Sequence, residues 1–181
     1  MPLMSIIGCE IFVKEISQLL GKDGDIESLI IMSEKKSDIV KQLHDLGAKY
    51  EELSPDMLPM DLKERKGLNV IVDLQSVSLH NDKSKIKKET YEKIKFYGKI
   101  SGGILLLYGV QNDAFADVLS DFKKSKFQLM TLICDEDKVQ DRDMCNCTVD
   151  GINEGLLSPY VLDAYEKSYS ELKNRLTSKG N

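Results

Sequence analysis

The sequence predicts an α/β fold: a three-layer, Rossmann-like domain with a largely parallel sheet of about five strands. Two observations carry that expectation. Short apolar runs of strand length alternate with segments of helical period along the chain. The most apolar run, "GGILLLYGV", lacks polar alternation, as a strand covered on both faces requires. Helix caps and stops fall between the runs. A chain of 181 residues is long enough for one domain with a full core, so residues 1–181 are expected to form a single α/β domain.

In order, "LMSIIGCEI" is the first strand, and a helix runs from Phe12 to Leu20 until "GKDGD" breaks it. "IESLIIMS" is the second strand. Ser33 can cap the helix "EKKSDIVKQLHDLG", which Gly47 stops. "AKYEEL" reads as a short edge strand, and "SPDMLPMDLKERKG" as a proline-containing connection. "LNVIVDLQSV" is the next long strand. Asn81 or Asp82 then caps a lysine-rich helix reaching about Tyr97. After "GGILLLYGV", a helix is expected over "NDAFADVLSDFKKS", capped by Asn112 or Asp113, and "FQLMTLICD" is the last strand. The polar stretch "EDKVQDRDMCNCTVDGINEG" leads to a C-terminal helix from about 158 to 176, with Pro159 in its first turn.

Composition narrows the function. The formal net charge of -5 argues against a nucleic-acid binder. The lysines between 83 and 99 are interleaved with Glu89 and Glu92 and read as a solvated helix face. No apolar window is long enough to span a membrane. The start "MPLMSIIGCEIF" has no basic leader, so a cytoplasmic protein is expected. Its cysteines, Cys9, Cys134, Cys145 and Cys147, then read as thiols or metal ligands rather than a disulfide framework. "NCT" at 146–148 matches the glycosylation pattern by chance in that setting. There is no glycine-rich phosphate motif for a nucleotide and no nucleophile elbow. His44 lies on a helix as a surface or boundary residue, and Asp135, Glu136 and Asp137 form a solvated run.

Ligands of open parallel sheets bind outside the carboxyl ends of the strands, where strand order reverses. Cys9 ends the first strand, and His80 with Asn81 follows "LNVIVDLQSV". Gln111 and Asn112 follow "ILLLYGV", and Cys134 follows "QLMTLI". Two thiolates and an imidazole suit zinc or iron, and three protein ligands leave a fourth position for water or substrate. The expected metal ligands are therefore Cys9, His80 and Cys134. Gln111 and Asn112 would be supporting or substrate-contacting amides. Cys145 and Cys147 could complete the set or form a redox pair, but C-x-C also fits a surface loop. Each residue has a plainer reading. Cys9 could be a small core residue, and His-Asn a turn and helix cap. Two other classes of function stay open: an accessory protein without metal, docking through residues 135–143 and the C-terminal helix, and a metal-free small-molecule binder with Cys9 in its lining. A protein partner or a homo-oligomer fits these readings.

The blocks "IIGCEIFVKEI", "LHNDKSKI", "ILLLYGVQND" and "LMTLICDED" resemble, in order, those of an uncharacterised family of small Cys/His-containing α/β proteins from bacteria and methanogenic archaea. The resemblance covers roughly residues 5 to 135. In that family a first strand ends in Cys, His-Asn precedes a helix, an apolar strand runs into Tyr-Gly-Asp-Cys-Gly, and a further Cys follows. Cys9, His80, Asn81, Tyr108, Gly109 and Cys134 match these positions; Val110, Gln111 and Asn112 depart from the Asp-Cys-Gly. The resemblance implies a link to one-carbon or methyl-transfer metabolism, and the departure implies either a remodelled site or a different role.

Overall fold

The computed structural model describes residues 2–32, 38–54, 57–58, 62, 65–108, 113–132 and 158–178. Six strands form one all-parallel sheet: β1 (Leu3–Cys9), β2 (Ile26–Met32), β3 (Glu51–Leu53), β4 (Leu68–Gln75), β5 (Gly103–Leu107) and β6 (Gln128–Thr131). Their order is β3-β2-β4-β1-β5-β6. The α/β, Rossmann-like architecture is thus present, with "AKYEEL" supplying the short edge strand β3. The helices are α1 (Val13–Gly21), α2 (Asp38–Asp45), α3 (Lys83–Tyr97), α4 (Val118–Asp121) and α5 (Pro159–Ser178).

One element differs from the sequence reading. The helix expected over "NDAFADVLSDFKKS" breaks into a 3-10 turn at Asp113–Phe115 and the single turn α4. Asp117, the residue before α4, makes no side-chain cap hydrogen bond, so this single turn starts without the support that an N-cap gives. The lysine-rich helix is capped by Asp82 and not by Asn81: Asp82 Oδ1 accepts from the backbone N–H groups of Ser84 and Lys85 at 2.9 and 3.0 Å. The expected cap at Ser33 and the end of the last strand at 133–135 lie outside the described residues.

The pleat sorts the strand residues between two faces. On one face are Met4, Ile6 and Gly8 of β1, with their partners Val70, Val72 and Leu74 on β4 and Gly103, Leu105 and Leu107 on β5. This face packs under α1 and α5. A Cβ on Gly8 would sit 2.8 Å from the Leu107 carbonyl and 3.4 Å from Ile16 of α1; one on Gly103 would sit 2.8 Å from Leu172 of α5. The absence of a side chain at these positions lets helix and sheet close together. The opposite face carries Ser5, Ile7 and Cys9 beside Asn69, Ile71, Asp73 and Gln75, under α3. Ser5, Asn69, Asp73 and Gln75 are all buried polar groups, so every buried polar residue of β1 and β4 lies on the α3 face.

Candidate functional site

The strand order fixes the place to look. From β1 the chain passes through α1 on one face; from its neighbour β4 it passes through α3 on the other. Adjacent strands whose connections part to opposite faces leave a crevice at their carboxyl ends, the usual ligand position in such sheets. The last residues of these two strands are Cys9 and Gln75, which pair in register.

Cys9, Gln75 and Tyr108 form the floor of this rim. Gly8 points to the α1 face, so Cys9 leaves the sheet on the α3 face together with its partner Gln75. Tyr108 follows β5, on the other side of β1. Its hydroxyl donates to Gln75 Oε1, spanning the width of β1 on the face where Cys9 emerges. Thr90 of α3 donates to the same Oε1 at 2.8 Å and lies 3.1 Å from the Tyr108 hydroxyl. The Tyr108 ring packs at a tilt of 40° against Phe115, centroids 4.5 Å apart, and its carbonyl accepts from Tyr165 of α5 at 3.2 Å. Cys9 is 0% exposed. Among the described residues the buried Gln75 side-chain nitrogen has no hydrogen-bond partner. Such an unmade bond costs about 1–3 kcal/mol.

The exits of β1 and β4 are tied together outside this network. Glu10, the residue after Cys9, accepts on Oε1 from Ser76 Oγ at 2.9 Å and from the Val77 N–H at 2.8 Å. Val77 begins the 3-10 turn Val77–Asn81, whose start is capped by Ser76. His80 lies in that turn, and Asn81 ends it, exposed.

Below the rim, α3 is anchored to β4 by charge. Asp73 Oδ2 accepts from Lys93 Nζ at 2.6 Å and from the Tyr97 hydroxyl at 2.7 Å. Burial, reinforced by the Asp73 charge, holds the Tyr97 hydroxyl far above the ordinary tyrosine range, so it stays a donor. A comparable anchor holds α5: Asp23 accepts from Tyr169 at 2.7 Å and from Lys173 at 2.7 and 2.8 Å. Burial alone would raise the Asp23 carboxyl, but the hydrogen bonds from Lys173, Tyr169 and the Asp25 N–H bring it below its usual value.

Of the residues singled out from sequence, Cys9, Tyr108 and the turn bearing His80 and Asn81 meet at this rim. Gln111, Asn112, Cys134, Cys145 and Cys147 lie outside the described residues. Among the described residues no group of three or more His, Cys, Asp and Glu side chains is placed to hold a metal. His44 is exposed on α2. Sequence reasoning missed Gln75, Thr90 and the Asp73 anchor. The signal was available: in "LNVIVDLQ" the polar residues 69, 73 and 75 recur at even spacing, marking one face of the strand.

No family model matches the chain, and no curated protein and no solved structure matches it.

Proposed function

We propose that this chain is an α/β protein that binds zinc or iron, with its site at the carboxyl rim of β1 and β4. One observation supports this most: the two strands that part to opposite faces end on Cys9 and lead into the turn bearing His80, with Glu10 joining the two exits. Cys9 and His80 would be ligands, with Cys134 as the third and Cys145 or Cys147 as further donors. Cys9 fits in type, as a soft sulfur donor, and in position. Its complete burial means that loading has to displace what covers it. A bound metal would supply Lewis-acid polarisation or a more acidic thiol or water. The chain's own part would be recognition. Gln75 has a nitrogen free to donate to an acceptor oxygen of a ligand, and Thr90 and Tyr108 hold that carboxamide in place. Asn81 and Tyr108, with Gln111 and Asn112, would line the substrate side. The family resemblance extends this reading to a thiol or methyl-group acceptor as substrate.

The test is elemental analysis of untagged protein purified anaerobically, beside His80→Ala. Near-stoichiometric zinc or iron in the parent, lost in a variant of equal stability, supports the site. No metal in either, with both folded, overturns it. A second reading, an accessory protein of the same fold without metal, is favoured by the 0% exposure of Cys9, since a fully buried thiol is commonly a packing residue.

A further inference from the structure

Away from the rim, β6 is paired through β5 on one side and flanked by α5. Between them lies a cavity of about 380 Å³, with Leu129 and Met130 of β6, Leu119 of α4 and Tyr160 of α5 in its walls. Leu119 is 44% exposed, an unusual setting for a large apolar side chain beside an apolar hollow. Along α5 the outer wall carries Asp163, Lys167, Glu171 and Arg175, alternating in sign every four residues. Asp163 pairs with Lys167 at 2.8 Å, and Glu171 pairs with Arg175.

We propose that this face is a self-association surface whose occupant is a second copy of this chain, related by a two-fold axis at the β6 edge. The charge order argues for a second copy. In an antiparallel pair of α5 helices centred at the level of residue 169, position 163 faces 175 of the other copy and 167 faces 171. Every such meeting joins opposite charges, the self-complementarity a two-fold interface requires. The apolar groove and Leu119 then lie at the centre, and the charges at the rim, as in stable interfaces.

The test is sedimentation velocity of the full chain across the micromolar range, with Lys167→Glu and Glu171→Lys. Both side chains are more than half exposed, so the reversals spare the core. The parent is expected to dimerise. Each single reversal sets like charges against each other twice and weakens the dimer at least about tenfold. An equimolar mixture of the two variants restores opposite charges at both positions and dimerises like the parent. A monomeric parent, single variants that dimerise as well as the parent, or a mixture that stays monomeric would each overturn the proposal. Should a variant fail to fold, carbodiimide crosslinking of mixed light- and heavy-isotope parent decides. A Lys167–Glu171 link between isotopes supports the interface, and its absence rejects it.

Discussion

The two faces of the sheet solve the same packing problem differently. Under α1 and α5, β1, β4 and β5 present apolar residues and two glycines, and nothing polar needs a partner. Under α3 the same strands carry Ser5, Asn69, Asp73 and Gln75, all buried. Polar groups inside a protein cost free energy unless fully bonded. Ser5 is satisfied by Ser101 at 2.6 Å, and Asp73 by Lys93 and Tyr97. Among the described residues two of these side chains keep an atom without a partner: Gln75 Nε2 at the end of β4 and Asn69 Oδ1 at its start. The apolar face is explained by packing alone; the polar face is not, and one of its two unsatisfied atoms sits at the end where the strand connections part.

Substitutions should show this asymmetry, the largest effect first. Asp73→Ala leaves Lys93 and Tyr97 without their acceptor and should cost about 3 kcal/mol in denaturant unfolding, the low end for breaking a buried pair, because Lys93 is 31% exposed and can turn to water. A cost under ~1 kcal/mol would mean that the anchor contributes little. Gly8→Ala probes the apolar face. Its new methyl meets the Leu107 backbone at 2.8 Å, and overpacking there should cost about 2 kcal/mol; a neutral result would show that the sheet yields easily at this point.

Asp23→Asn separates the α5 anchor from the α3 anchor through pH. The hydrogen bonds from Lys173, Tyr169 and the Asp25 N–H outweigh burial and hold the folded carboxyl below the ordinary aspartate value of about 3.9. Its stabilisation is therefore complete well above that value and is lost as pH falls through the lower, folded one. The variant should be about 1–2 kcal/mol less stable near neutral pH, and the gap should narrow in thermal melts run below about pH 4. A gap that stays constant on acidification would contradict the assignment. The smallest effect is expected from Gln75→Met. The thioether removes the unpartnered nitrogen, while Thr90 and Tyr108 keep each other, so stability should change by less than ~1 kcal/mol. A large loss would make Gln75 a structural residue rather than a recognition group.

The fold was legible because its signals are local. Apolar runs, Pro159 and the helix periods mark the elements, and the fully apolar "ILLLY" gives away a strand covered on both sides. What was not local was missed or shifted. Thr90 reads as one more residue of a charged helix, and only folding sets its hydroxyl on Gln75, fifteen residues earlier. Cys9 was legible as a strand-end residue, and His80 as a residue following a strand. That their two strands are neighbours depends on β4 inserting between β2 and β1, which no short stretch of sequence encodes. The break in the helix after Phe115 was not legible either, because the stretch keeps a helical period throughout.

The rim as a metal centre is most directly tested by titrating anaerobic, metal-free protein with cobalt(II) and following absorption, in the parent and in Cys9→Ser. The account predicts a thiolate-to-cobalt charge-transfer band in the parent that is lost in the folded Cys9→Ser variant. No band in the parent, or one of equal strength in the variant, would contradict it and leave Cys9 as a packing residue beneath a polar network.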